Sequence, residues 1–186
     1  MRTNNEINNW GNIPNIRNLQ IAMTEFLTTQ NFQMHITANF NRATTINNGR
    51  SKLSEWAKFV DRKFHGRCFY KKPIEKRMFF AAIPEVGGFS GNLHYHMLVK
   101  LPGVYENFSE YASDVWRKLN RTGDMCIQKI DLTKGDPIRL VRYDMKEVRK
   151  SSGYENIVFS NELNYGHDPS IRNKLVEMTR EDNQEF

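Results

Sequence analysis

An α+β fold follows from three features of the sequence. Several runs alternate apolar and polar residues as strands do, other segments carry a 3.6-residue apolar period, and a glycine-rich stretch joins two adjacent strand-like runs as a hairpin connection would. Together they predict a central antiparallel sheet of about five strands with helices packed on it. The chain has 186 residues, of which 39% are apolar and 12% aromatic, enough for one domain with a substantial core. The expected organisation is an irregular N-terminal arm over residues 1–30, the folded domain over 31–160 and an acidic tail over 161–186.

The arm is asparagine-rich with few apolar anchors, and within it Ile21–Leu27 reads equally as a short helix or a strand. In Phe32–Phe40, Phe32, Met34, Ile36, Ala38 and Phe40 alternate with His35, Thr37 and Asn39, which predicts a central strand. His35 on its polar face reads as a hydrogen-bonded or solvated side chain, not as a ligand. Asn41–Arg50 is a polar turn, and Ser51 is expected to cap a helix in which Leu53, Trp56, Ala57, Val60 and Phe64 follow the helical period. The runs Met78–Ile83 and Leu93–Val99 form the hairpin. Asn107 and Glu110 predict a capping box for a helix that buries Phe108, Tyr111, Ala112, Val115, Trp116 and Leu119. Met125–Leu132 is a further strand, and Asp136-Pro137 marks a helix start, with Ile138, Val141, Met145 and Val148 as its apolar stripe. Gly153 ends that helix. Tyr154–Phe159 supplies a last strand, and one short helix is expected near Ile171–Met178, with His167 in a turn and outside any site.

Lys and Arg number 27 against 21 Asp and Glu, a formal charge of +6 with pI near 9.3, which favours a polyanionic partner. Residues 50–77 hold ten Lys or Arg and three acids, a local +7, and this concentration beside Phe69, Tyr70 and His65 predicts a phosphate-contacting surface. Cys68 and Cys126 have no metal or redox spacing and read as reduced cysteines of a cytosolic protein. The sequence shows no run of 18 apolar residues and no signal-peptide core, so no membrane association is expected.

The hairpin carries the chemistry. His94 and His96 stand two apart on a strand, so both side chains leave one face about 7 Å apart. If the runs pair, Glu85 lies across from His94 and diagonal to His96. Two imidazoles and a carboxylate without thiolate suit several divalent ions, zinc among them, and three protein ligands leave coordination positions open, as catalytic sites do. On the last predicted helix, Tyr143 lies opposite the apolar stripe with Lys146 one turn on. A metal would polarise a phosphodiester there, and Tyr143 would attack phosphorus and remain attached as a phosphotyrosine.

These motifs resemble the HUH endonucleases, the nicking domains of rolling-circle replication initiators and their relaxase and transposase relatives. His94-Tyr95-His96 matches the histidine–bulky–histidine motif, and Met97-Leu98-Val99-Lys100 continues its strand. Glu85 stands where initiators of small circular viruses place an acidic third ligand. Tyr143-Asp144-Met145-Lys146 matches the single-tyrosine Y-x-x-K motif, at a longer distance from the histidines than in compact viral members, and Phe32–Phe40 matches the first strand motif loosely. The resemblance spans roughly residues 30–150.

It implies an RRM-like sheet with single-stranded or hairpin origin DNA across its ligand-bearing face. Glu85, His94 and His96 would hold Mg²⁺ or Mn²⁺, Tyr143 would be the nucleophile and Lys146 would position the phosphate or the attacking group. Arg42, Lys63, Arg67, Lys71, Lys72, Arg139, Arg142 and Arg149 are the candidate DNA contacts. The implied function is sequence-specific nicking and strand transfer through a 5′-phosphotyrosine, initiating rolling-circle replication at replicon DNA in the cytoplasm. No G-x-x-x-x-G-K-[ST] motif is present, so unwinding would fall to a separate host or replicon helicase. Three alternatives stay open: a transposase or mobilisation relaxase using the same chemistry, a non-enzymatic single-stranded nucleic-acid-binding protein, and a phosphodiesterase that uses water in place of tyrosine.

Overall fold

Five strands form one antiparallel sheet in the order β4-β1-β3-β2-β5, with β1 at Met34–Asn39, β2 at Phe79–Val86, β3 at Leu93–Lys100, β4 at Asp124–Lys129 and β5 at Val158–Phe159. The computed structural model describes residues 16–87, 91–131, 137–146 and 156–163. Among the described residues four α-helices accompany the sheet: α1 at Ile16–Thr29, α2 at Ile46–His65, α3 at Phe108–Leu119 and α4 at Pro137–Asp144. The succession β1-α2-β2-β3-α3-β4 is a split β-α-β arrangement in which β3 lies between β1 and β2 and runs against both. The predicted α+β class and five-stranded antiparallel sheet are therefore the observed ones.

Two apolar layers hold the sheet. On one face Met34, Ile36 and Ala38 of β1 and Tyr95, Met97 and Val99 of β3 pack against Leu53, Trp56, Ala57 and Val60 of α2 and against Ala112, Val115 and Trp116 of α3. Trp56, Trp116, Tyr95, Phe40 and Phe80 are fully buried there, each worth about 1.5–3 kcal/mol of transfer free energy. Both indole N–H groups find acceptors: Trp56 Nε1 donates to the Ala112 carbonyl at 3.0 Å and Trp116 Nε1 to the Asn39 carbonyl at 2.9 Å. On the other face Ala81, Ile83 and Leu98 meet Leu27 of α1, Val141 of α4 and Met145 just after it.

Several boundaries differ from those the sequence suggested. Residues 16–29, expected as part of an irregular arm, form α1, and of the two readings of Ile21–Leu27 the helix is the one observed. The α2 helix begins at Ile46, five residues before Ser51. Its cap is Thr45, whose side chain accepts from the Asn48 amide at 3.3 Å. Gly49 reads as a helix breaker, yet it sits where α2 crosses β3. A Cβ there would fall 2.7 Å from Leu93 Cδ2 and 2.9 Å from the Tyr95 ring, so close approach and not chain reversal accounts for the glycine. Asn107 starts α3 in the left-handed region at φ 55° with no side-chain cap, so the capping box is absent. Strand β4 ends at Lys129 and β5 is two residues long. Asp136, Val148, Arg149, Gly153, His167 and the short helix near Ile171–Met178 lie outside the described residues.

A polar cluster sits at the far end of α2. Asp61 is fully buried and accepts the Met78 amide at 3.2 Å, while its other oxygen has no hydrogen-bond partner. His65 Nε2 is hydrogen-bonded to the Tyr105 hydroxyl and lies 3.8 Å from Asp61 Oδ1. Burial raises the Asp61 carboxyl to about 6, against the lowering effects of the Met78 amide and of Arg77. An acid raised in the folded state costs stability wherever it is ionised, and the cost disappears as pH falls from about 6 towards 3.8. Asp61→Asn, which keeps the shape and the Met78 acceptor, should therefore stabilise the protein at pH 8 by on the order of 1–3 kcal/mol. Denaturant unfolding of both proteins across pH should show the gap closing towards pH 4; a constant gap would contradict this assignment.

Candidate metal centre and nucleophile

The β2–β3 ladder pairs Glu85 with His94 and Ile83 with His96. Strand alternation then puts Glu85, His94 and His96 on the α1/α4 face, because the intervening Leu93, Tyr95 and Met97 belong to the opposite core. The hairpin connection is closed by the Gly87 amide donating to the Asn92 carbonyl at 3.0 Å and the Gly91 amide to the Gly87 carbonyl at 2.9 Å. Gly91 adopts φ +63°, a conformation that a Cβ disfavours.

The three predicted ligands converge. Glu85 Oε2 lies 3.0 Å from His96 Nε2 and 3.7 Å from His94 Nε2, and one ligand atom from each residue falls within 4.8 Å of the other two. Neighbouring oxygen or nitrogen ligands of an octahedral ion stand about 3 Å apart, so the Glu85–His96 pair is already at ligand spacing and the His94 ring needs a small shift. A His/Glu cluster that could hold a metal ion is thus present. The electrostatics suit one. Burial lowers the His96 pKa, against the opposing pull of Asp144 and Glu85, which keeps its ring neutral and its lone pair available.

Helix α4 brings a second set of groups over this cluster. Val141 and Met145 anchor it in the apolar layer, and Asp144 is buried beneath it. Tyr143 faces outward, 53% exposed, with its ring centroid 6.1 Å from that of His96. Lys146 follows in the turn after the helix. Its Nζ lies 3.8 Å from the centre of the Tyr143 ring and 3.9 Å from Glu85 Oε2, so one ammonium group links the tyrosine to the acidic ligand. The sequence placed Lys146 within the helix; its proximity to Tyr143 survives the earlier helix end.

No protein-family model, curated protein or solved structure matches this chain. The site is therefore read from its own geometry.

Sequence reasoning set His35 aside as a hydrogen-bonded or solvated residue, and it is hydrogen-bonded: its Nε2 lies 3.2 Å from Asp144 Oδ1. Asp144 itself drew no attention in the sequence. With His96 these two form a second group of ligand type within the same 4.8 Å limit. The signal for Asp144 was its place beside Tyr143 on the buried side of α4.

The candidate DNA contacts divide. Arg139 and Arg142 are exposed on α4, and Arg42 is exposed three residues beyond Asn39, which pairs with His94. Lys63, Arg67, Lys71 and Lys72 are exposed at and beyond the C-terminal end of α2, the helix packed on the opposite face of the sheet, and the fold does not bring them to the cluster. Arg149 lies outside the described residues. A pocket of about 400 Å³ is likewise elsewhere, at the Phe79–Lys100 end of the hairpin, and none of Glu85, His94, His96 or Tyr143 lines it. No described helix is long and apolar enough to cross a membrane.

Metal binding at this cluster predicts a thermal signature. Mn²⁺ at 100 times its dissociation constant should add about 2.7 kcal/mol of stability and raise the melting temperature of the wild-type protein. The rise should vanish in Glu85→Gln and His94→Ala; the same rise in both variants would place the ion elsewhere.

Proposed function

We propose that this protein nicks single-stranded DNA by transesterification: Tyr143 attacks a phosphodiester whose phosphate is held at a divalent-metal centre formed by Glu85, His94 and His96. The observation that carries the reading is the convergence of Tyr143, on a helix late in the chain, and Lys146, in the turn after it, on a cluster built by the β2–β3 hairpin. A carboxylate with two imidazoles in a partly exposed site could hold Mn²⁺ or Mg²⁺, with water or phosphate oxygens completing the coordination shell. Bound there, the ion would supply Lewis-acid stabilisation of charge on the phosphoryl oxygens.

The chain's own residues account for the rest. The exposed Tyr143 ring leaves its hydroxyl open to a strand lying across this face. The hydroxyl oxygen forms a bond to phosphorus while the bond from phosphorus to the 3′ oxygen breaks. The phenolic proton is released, the departing oxygen takes up a proton as a 3′ hydroxyl, and the phosphate remains on Tyr143 as a 5′ phosphotyrosine. Lys146 holds the tyrosine ring and offers positive charge to the transferred group. Arg139, Arg142 and Arg42 supply phosphate contacts along the strand. Since the linkage conserves the phosphodiester, a later 3′ hydroxyl reverses it and reseals or transfers the strand without ATP. That cycle suits initiation of rolling-circle replication, with single-stranded or hairpin origin DNA as substrate and a separate helicase for unwinding; a mobilisation relaxase or transposase would use the same step.

The test is denaturing electrophoresis of the protein mixed with end-labelled single-stranded DNA spanning its replicon's origin, with Mn²⁺ or with EDTA. Wild type should give a slow-migrating covalent adduct that EDTA and Tyr143→Phe each abolish, and Lys146→Ala should slow adduct formation by on the order of 100-fold. Cleavage that persists in Tyr143→Phe without an adduct would make the protein a water-using nuclease. DNA binding with neither product, unaffected by EDTA, would make it a binding protein.

A further inference from the structure

His96 is flanked by carboxylates at both ring nitrogens. Its Nε2 lies 3.0 Å from Glu85 Oε2 and its Nδ1 lies 3.8 Å from Asp144 Oδ1. The His35 ring stacks on the His96 ring at 5.8 Å with planes 9° apart, and His35 Nε2 lies 3.2 Å from the same Asp144 oxygen. Asp144 has a fully buried side chain, and neither its second oxygen nor His96 Nδ1 has a hydrogen-bond partner in the structure.

A neutral imidazole has one N–H and one lone pair. A proton on Nε2 meets Glu85 at 3.0 Å and leaves Nδ1, on the side of Asp144, without a hydrogen-bond partner; a proton on Nδ1 faces Asp144 and sets the Nε2 lone pair against the Glu85 carboxylate. A cation shared by Glu85 and His96 Nε2 resolves the second arrangement, with the ring proton on Nδ1 towards Asp144. Carboxylate partners of this kind set the tautomer and orientation of metal-bound histidines.

We infer that Asp144 and His35 form an outer pair that fixes His96 as an Nε2 metal ligand. His35 holds one Asp144 oxygen, stacks behind the ligand ring and keeps it from turning. The inference rests on the proposed reading of Glu85, His94 and His96 as metal ligands. Because Asp144 follows Tyr143 in the chain, the pair also ties the helix carrying the nucleophile to the ligand strand. Both residues are positioning residues: neither has to touch DNA. The competing use of these groups is a second cation held by His35, Asp144 and His96 Nδ1, which would need both His96 nitrogens free of protons.

Two measurements on the full chain separate these possibilities. In isothermal titration calorimetry with Mn²⁺, wild type should bind one equivalent, Glu85→Gln should lose it, and Asp144→Asn, which keeps the side-chain shape, should weaken it 10–100-fold. His35→Phe, which keeps a stacked ring without the N–H, should weaken binding in the same direction. In nitrogen-15 NMR of histidine-labelled, Mg²⁺-loaded wild type, His96 should carry its proton on Nδ1, a readout that a purely structural role for Asp144 would leave unspecified. Wild-type affinity in a folded Asp144→Asn, with Glu85→Gln still defective, would overturn the outer pair alone. An Nε2 proton on loaded His96, or two Mn²⁺ per chain, would also overturn it. No Mn²⁺ binding by wild type would remove the metal reading and this inference together.

Discussion

The register of the β2–β3 hairpin is the constraint on which the rest depends. With Glu85 opposite His94, three ligand-type side chains share one face. A slip of one residue would send Glu85 to the α2/α3 face and break the cluster, since side chains alternate strictly along a strand. What fixes the register is on the other side of the sheet. Leu93, Tyr95, Met97 and Val99 are all buried against α2 and α3. Tyr95 is pinned most firmly: its ring is fully buried, its hydroxyl donates to the Ile46 carbonyl at 3.4 Å, and Gly49 leaves room for it beneath α2. Burial pushes its pKa up to about 12, against the pull of Arg50, so it stays a neutral packing residue. The tyrosine between the histidines thus serves the core, and Tyr143 is the one that stands exposed beside the cluster.

The opposite face is divided, and α4 lies along the division. Leu27, Ile83, Leu98, Val141 and Met145 make an apolar half, while His35, Glu85, His94, His96 and Asp144 make a polar half. One helical turn distributes its residues between the two. Val141 and Met145 go into the apolar half, Asp144 goes under the helix to the histidines, and Arg142 and Tyr143 remain outside. A helix anchored at 141 and 145 has little freedom to roll, so the outward direction of Tyr143 follows from packing as much as from its own contacts. The sheet face keeps Tyr143 beside the cluster without burying it.

How much of this was legible depends on the range of the interaction. The hairpin was readable because its signal is local: an alternating run, a glycine-rich connection and a second alternating run fix which residues face each other. The ligand set Glu85, His94 and His96 and its convergence came with it. The approach of His35 to His96 was not readable, because it comes only through the β1–β3 register, in which Thr37 pairs with His96 and His35 with Leu98, and no local feature sets that alignment. The start of α2 was missed because a polar stretch with a glycine resembles a turn, and only the position of Tyr95 shows why a glycine is needed inside a helix. Likewise α1 follows directly on an asparagine-rich stretch that hides its start, and it takes its place through Leu27 in the second apolar layer.

Charge shows the same limit in another form. The basic concentration in residues 50–77 is the strongest compositional signal in the chain, yet its exposed members Lys63, Arg67, Lys71 and Lys72 belong to the side of the sheet that α2 covers. Layers of helix and sheet stack at roughly 10 Å, while the screening length at physiological salt is about 8 Å. In the proposed reading those charges would act on a phosphate at the cluster only as a weak, salt-sensitive field that aids encounter. Fixing the phosphate would then fall to groups on the near side, to Lys146 beside Glu85 and to the exposed arginines of α4. A long strand that engaged both surfaces would have to pass around an edge of the sheet. The β4 edge and the β5 edge are unlike, since β4 offers six residues with mostly exposed side chains and β5 only two. Of the two, β4 is next to β1, the strand that ends beside His94 and leads to Arg42, so a path from the cluster past Arg42 and around β4 is the one along which positive charge and open surface coincide.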